Sequence, residues 1–264
     1  MIFASDLDRT LIYSKSFINE EMEDIFPVEK KDGEIISYMS KTSMNLLKLL
    51  SKKIIFIPVT SRSLEQFNRL TFFKDGLINR YAVVANGGIL LKDNEIDAHW
   101  QELIKNKMDE IISPGELLIS LAKFLKNPEI NYFRCCDNVF VYIVLKSNII
   151  EEEYLSELQP LCKVYGYGMV KNGRKIYIIP HFINKWEPLK YIMEVEQDGH
   201  LITAGDSILD FPMLENSMTG FVPGHGELNM KYGQILSENK KIFCTSSQGI
   251  GSSDELLNRI YEIV

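Results

Sequence analysis

Ile2-Phe3-Ala4-Ser5-Asp6-Leu7-Asp8-Arg9-Thr10 is the stretch from which the fold is read. A short apolar run ends in two carboxylates two positions apart. If Asp6 continues the strand and the loop turns after it, both carboxylates converge on one point. Such a pair suits phosphoryl transfer. One carboxylate attacks phosphorus and holds a magnesium ion, and the other passes a proton to the leaving oxygen. An Asp-x-Asp-x-Thr arises by chance in a chain this long on the order of a few per cent of the time. A polar turn after a strand is the competing reading, so the rest of the chain has to decide between them.

Ile54-Ile55-Phe56-Ile57-Pro58-Val59 is β-branched and rich in Ile, as a buried parallel strand is. Tyr81-Ala82-Val83-Val84-Ala85 is a third strand, stopped by Asn86-Gly87-Gly88. Residues 40–52 place Met44, Leu47 and Leu50 at helical spacing, and 63–73 is helical again. Strand, helix, strand, helix, strand calls for a parallel sheet with right-handed crossovers. Ahead of the first helix, 16–29 is acidic and mixed. Lys30-Lys31-Asp32-Gly33 then marks a hairpin.

The pattern changes after Gly88. A helix over 114–126 is followed by two strand-like runs within 131–146, broken near Asp137-Asn138. A short acidic helix over 151–158 precedes strands at 163–170 and 175–179, turning at Asn172-Gly173. This is a small α+β unit with an antiparallel sheet. The first pattern resumes with a helix at 186–194, strands at 201–204, 219–222 and 241–244, and a short helix at 211–216. Ser252-Ser253-Asp254-Glu255 reads as a capping box opening the final helix. The expected class is α/β, with a Rossmann-like parallel-sheet core over 1–88 and 181–264. The α+β insertion occupies 89–180.

Composition bounds the function. The 264 residues are 45% hydrophobic and 25% charged, enough apolar material for one large domain or two modest ones. With 29 basic against 36 acidic residues the net charge is −7, a poor match to a nucleic-acid backbone. No apolar run approaches the roughly 18 to 20 residues of a membrane helix. The N-terminus has neither a basic n-region nor a cleavage pattern. The expectation is a cytoplasmic protein with no membrane or nucleic-acid partner. Its oligomeric state is not legible. Cys135, Cys136, Cys162 and Cys244 form no Cys-x-x-Cys and read as reduced, mostly buried thiols.

Four polar clusters line up with the sheet. Asp6 and Asp8 follow the first strand, Thr60-Ser61-Arg62 the second, and Gly205-Asp206-Ser207-Ile208-Leu209-Asp210 a late one. Lys185 stands just before the helix after the insertion. Ligands of open α/β sheets bind outside the carboxyl ends of the strands. The clusters supply carboxylates for a hard cation, a hydroxyl, and a cation for phosphoryl oxygens. In this order they resemble the four motifs of the haloacid dehalogenase superfamily. The insertion is similar to the type IIB cap of its sugar-phosphate phosphatases, a subgroup that includes Cof-like, sucrose-phosphate and mannosylphosphoglycerate phosphatases. Asn86-Gly87-Gly88 and Asp210-Phe211-Pro212-Met213-Leu214 are similar to that subgroup too.

The resemblance implies a magnesium-dependent phosphatase of a small phosphorylated metabolite. Asp6 would be the nucleophile and Asp8 the general acid and base, its carbonyl also touching Mg2+. Thr60 would donate to the phosphoryl group, and Lys185 would neutralise it. Asp206 would bind the metal directly, with Asp210 beside it. Ser61, Arg62 and Asn86 are substrate-side candidates; a salt bridge for Arg62 and a turn cap for Asn86 are the alternatives. Arg134, Lys171 and Arg174 of the insertion would meet an anionic substrate, against the alternative of a solvated sheet edge. Two residues depart from the pattern: Arg9 stands where many relatives have Gly, and Leu209 where many have Asn. The connection over residues 15–40 is longer than usual and is expected to act as a second lid element. A phosphomutase and a non-catalytic phosphometabolite-binding protein are the rival readings.

Overall fold

Ile2, Phe3 and Ala4 offer only apolar side chains, and the strand Ile2–Ser5 accordingly lies buried at the centre of a sheet. Its neighbours are Leu201–Ala204 on one side and Ile55–Pro58 on the other. Thr219–Val222 and Ile242–Cys244 extend the first side, and all five strands are parallel. Ser5 is level with both Ala204 and Pro58, so the loops leaving the three strands start side by side. The strand order reverses direction at Ile2–Ser5, which makes this edge the switch point where ligands bind in such sheets.

A computed structural model describes residues 1–18, 24–74, 76–77 and 79–264 of the protein. The chain divides into two compact units, Met1–Ile96 with Lys185–Val264, and Asp97–Asn184. In the first, a parallel bridge between Val59 and Val83 carries the sheet on to Tyr81–Val84. Residues 89–96, which the change of pattern at Gly88 assigns to the insertion, pair back onto that strand. Ile89–Lys92 runs antiparallel to Tyr81–Val84, and Glu95–Ile96 follows.

The helix Lys41–Leu50 starts where Ser40 Oγ accepts the Ser43 N–H at 2.8 Å. It buries Met44, Leu47 and Leu50, each worth about 1.5–3 kcal/mol against exposure. The next helix is shorter than its spacing implies: Leu64–Asn68 only, with a 3₁₀ turn at Phe72–Lys74. The hairpin explains the stop, because the Thr71 N–H is taken by Val28 O at 2.9 Å. The last helix, Ile250–Ile263, begins two residues before the expected capping box, with Gly249 as its cap at φ +57°. Ser252 and Ser253 lie inside it and are buried; Ser43 Oγ donates to Ser253 Oγ at 2.9 Å and to Asp254 Oδ1 at 2.6 Å.

The hairpin joins Ile25–Lys31 to Glu34–Ser40 through Asp32-Gly33, both at positive φ, and Tyr13–Ser14 adds a third strand. Val28 and Met39 are built into the same core as Phe3, Leu7 and Leu11. The connection is therefore part of the core packing. Residues 19–23 of the acidic 16–29 stretch lie outside the described residues.

The second unit has a four-stranded antiparallel sheet in the order Tyr167–Asn172, Lys175–Pro180, Phe140–Leu145, Ile130–Cys136. The acidic helix extends beyond 158, to Val164, because Tyr154, Leu158 and Cys162 continue one buried stripe. The strand read as starting at 163 begins at Tyr167 instead. Val141, Ile143, Leu145, Ile176 and Ile178 pack that sheet against Leu117, Leu121 and Leu158. Among the described residues, no helix is long and apolar enough to cross a membrane. The four cysteines are free thiols; Cys136 and Cys162 are buried and Cys135 is exposed.

Candidate active site

The sheet ladder holds up to the loops: Asp6 N–H donates to Ala204 O at 2.8 Å, and Thr60 N–H to Val83 O at 2.8 Å. Asp6, Thr60 and Asp206 therefore leave the same edge from rigid backbone. Lys185, at the start of the helix Trp186–Glu196, reaches this edge from far along the chain. Its Nζ donates to Asp6 Oδ1 at 2.7 Å and to Asp210 Oδ1 at 2.5 Å. Asp6 Oδ2 accepts from Thr10 Oγ1 at 3.2 Å. The Ser207 N–H and Oγ–H both donate to Asp210 Oδ2 at 2.9 Å. Both oxygens of Asp210 are thus engaged, and it fixes Lys185 and the 205–210 loop.

Asp6, Asp206 and Asp210 each bring one carboxylate oxygen within 4.8 Å of the others, and all three are buried. Asp206 Oδ2 has no hydrogen-bond partner, and Arg9 Nε, 3.5 Å away, has none either. A buried carboxylate oxygen left unsatisfied costs several kcal/mol, on the order of a lost charged hydrogen bond. An all-oxygen set in which one anionic oxygen accepts no hydrogen bond and only faces the Arg9 charge at 3.5 Å fits a hard divalent cation such as Mg2+.

The electrostatics follow from this crowding. Burial raises the Asp6 carboxyl to about 7; Asp210 and Asp8 add to the rise and Lys185 opposes it. Asp206 is raised well above the usual carboxylate range by burial, then by Asp6 and Asp210. Burial works against the charge on Lys185, but Asp210 and Asp6 outweigh it and hold the ammonium above its ordinary range. A carboxyl raised in the folded state binds its proton more tightly there than in the unfolded chain. Its contribution to stability therefore falls as pH rises from about 4 to about 7.

The Thr60 loop is locked to the Asn86 turn. Asn86 N–H donates to Thr60 O at 3.0 Å and Ala85 N–H to Arg62 O at 2.8 Å. Asn86 is buried at φ +57° with its Oδ1 unpartnered, so it both forms the turn and presents a polar atom beside Thr60. Ser61 is half-buried in the same loop. Arg62 turns to carboxylates: Nε and Nη2 grip Asp8 Oδ2 and Oδ1 at 2.7 and 2.8 Å, and Nη1 meets Glu29 Oε2 at 2.7 Å.

Arg9 sits at φ +64°, the left-handed region that favours glycine. His225, which no spacing in the sequence singles out, supports it. Gly249 N–H donates to His225 Nδ1 at 3.0 Å, so Nε2 carries the proton and donates to Arg9 O at 3.0 Å. The Arg9 guanidinium lies over Phe17, 5.6 Å from the ring centroid. Leu209, the second departure, is simply buried.

The three candidates of the second unit are not brought together. Arg134 lies over the Tyr132 ring at 5.2 Å, on the sheet face that also carries Tyr142 and Tyr177. Lys175, which carries no signal in the sequence, lies on that face too, 5.5 Å from the Tyr142 centroid. Lys171 belongs to the opposite face and donates to Asn148 O at 2.9 Å. Arg174 is exposed in the hairpin turn.

Gly205 has a visible reason. A Cβ there would meet Asp210 Cβ at 2.3 Å. Gly205→Ala is expected to push Asp210 off Lys185, costing about 1–3 kcal/mol of stability and most of the activity. Denaturant unfolding together with a turnover assay checks this; a variant matching the parent in both would contradict the packing argument.

No family model and no curated protein matches the sequence. Solved structures do match. The sucrose-phosphatase of Synechocystis sp. PCC6803, solved with sucrose and phosphate, is 13% identical with a TM-score of 0.71 over 99% of this chain and 98% of that one. A subclass IIB sugar phosphatase of the haloacid dehalogenase superfamily is 13% identical, with a TM-score of 0.66 over 100% of this chain and 99% of that one. A haloacid dehalogenase-like hydrolase from Bacteroides thetaiotaomicron is 15% identical, with a TM-score of 0.60 over 98% of each chain. The protein has the fold of the haloacid dehalogenase superfamily.

Proposed function

We infer that the protein is a phosphatase that hydrolyses a small phosphorylated metabolite, of the sugar-phosphate class, through an aspartyl phosphate on Asp6 with Mg2+ as cofactor. One observation carries the reading: three buried carboxylates converge with one buried lysine, and Asp206 Oδ2, ion-paired with Arg9 at 3.5 Å, accepts no hydrogen bond. An Asp6 oxygen attacks phosphorus while the bond from phosphorus to the leaving oxygen breaks. Asp8 gives its proton to that oxygen. Water then attacks the phosphorus of the aspartyl phosphate and returns a proton to Asp8, freeing Asp6 and inorganic phosphate. Lys185 orients Asp6 and offsets phosphoryl charge, and the Thr60 hydroxyl donates to a phosphoryl oxygen. Asp6, the Asp8 carbonyl and Asp206 would hold Mg2+, with Asp210 behind them, and the ion supplies positive charge for the phosphoryl oxygens. Substrate choice belongs to the Asp97–Asn184 unit, whose aromatic and cationic sheet face suits a polar ring bearing negative charge.

Screening phosphorylated sugars for phosphate release, with and without a chelator, tests the reading. Release that stops on chelation and returns with Mg2+ supports it. An isomerised sugar phosphate without net release, or no turnover of any compound, overturns it.

Binding of Mg2+ needs ionised carboxylates, so its effect on stability has a predictable sign. The Mg2+-induced rise in melting temperature should be larger at pH 8 than at pH 5, where Asp6 keeps its proton. At a hundredfold excess over Kd the gain is about 2.7 kcal/mol. Equal shifts at both pH values would contradict the assignment of these carboxylates as ligands.

A further inference from the structure

Glu29 is a buried carboxylate with no part in the phosphoryl transfer itself. It lies on the Ile25–Lys31 strand of the hairpin, and its side chain is 1% exposed. Three donors hold it: Ser37 Oγ at 2.8 Å and Arg62 Nη1 at 2.7 Å on Oε2, and Arg69 Nε at 3.1 Å on Oε1. Arg62 in turn spends its other two nitrogens on both oxygens of Asp8. The Arg62 guanidinium is planar and rigid, so fixing one edge on Glu29 fixes the plane in which the other edge grips Asp8. The Asp8 side chain is 51% exposed, and packing alone leaves such a carboxylate several rotamers; a two-point grip selects one. Burial works against the charge on Arg62, and Asp8 and Glu29 together hold it up.

We propose that Glu29 is a positioning residue for Asp8, acting through Arg62, and that this is what the long hairpin contributes to catalysis. The inference rests on the phosphatase reading, in which Asp8 gives its proton to the leaving oxygen as the phosphorus–oxygen bond breaks and later takes one from the attacking water. Glu29 touches no reacting atom. The two-point grip is that of the ionised Asp8. When Asp8 carries its proton, one oxygen leaves Arg62 to bear it and the other stays held, so the direction of the carboxyl is still set from Glu29. Loss of Glu29 therefore impairs delivery of the proton and spares attack by Asp6.

Leaving groups separate these effects. p-Nitrophenolate departs with little need of a proton, whereas phenolate needs one. Glu29→Gln keeps the side-chain volume and removes the charge that holds Arg62. Its kcat/KM for phenyl phosphate is expected to fall about tenfold or more, within the range of general-acid effects, and that for p-nitrophenyl phosphate less than about threefold. Arg62→Lys, whose single rotatable ammonium lacks the planar fork that grips Asp8 at two points, should reproduce the discrimination and carries the test if Glu29→Gln fails to fold. Arg69→Gln removes the other arginine from Glu29 and should leave the ratio of the two substrates unchanged. Equal losses on both substrates would mean a purely structural role and would overturn the proposal, as would no loss on either. Failure of the parent protein to release phosphate from both compounds would instead defeat the phosphatase reading itself.

Discussion

Asp6→Asn is expected to abolish phosphate release, by about three orders of magnitude or more, with the fold intact. The amide has the shape of the carboxylate and is no nucleophile. Its oxygen still accepts from Lys185 Nζ at the Oδ1 position, and its NH2 takes the Oδ2 position, where it donates to Thr10 Oγ1 instead of accepting from it. The ionised carboxylate it replaces is unfavourable where it stands, since burial and the neighbouring acids raise its pKa to about 7. The variant should therefore melt no lower than the metal-free parent at pH 8. A variant that unfolds would show Asp6 to be structural. A folded one with near-parental turnover would move the nucleophile elsewhere.

Lys185→Met is expected to show the largest loss of stability. The ammonium is 2% exposed and neutralises two buried carboxylates. Methionine matches its stem but takes away the cation that Asp6 and Asp210 share, leaving Arg9, paired with Asp206, as the cation beside the cluster. Breaking a buried pair on one side typically costs about 3–5 kcal/mol. The sign with pH is fixed: the loss should be greater at pH 8, where Asp6 is ionised, and shrink toward pH 5 as Asp6 takes up a proton. Urea unfolding at both values measures it. A pH-independent loss below about 1 kcal/mol would mean that the lysine is not the counter-charge of this cluster.

Much of this site is legible in the sequence because it lies where short apolar strands end. The residues Asp6, Thr60 and Asp206 each follow such a strand, and the register that levels Ser5 with Pro58 and Ala204 brings them together. Lys185 is legible only through its order among the motifs. Glu29 is not legible: it is one acid in a charged hairpin, and its partners Arg62 and Arg69 lie 33 and 40 residues away. His225 is hidden likewise, since its role depends on Gly249 and on the backbone of Arg9. Two helices escape notice because their faces are weakly apolar. Ala98–Met108 buries Trp100 and Ile104, and Glu227–Glu238 is kinked at Tyr232. The end of Leu64–Asn68 is beyond local reading, because a strand from the hairpin takes the Thr71 N–H that the helix would otherwise use.

The most direct measurement is to trap the covalent intermediate. Protein mixed with p-nitrophenyl phosphate and Mg2+ is quenched in acid and reduced with borohydride, which converts an aspartyl phosphate to homoserine. Peptide mass mapping then locates the change. The account predicts homoserine at position 6 alone, dependent on substrate and absent from Asp6→Asn. Steady phosphate release with Asp6 unmodified, or with modification at another carboxylate, would contradict it.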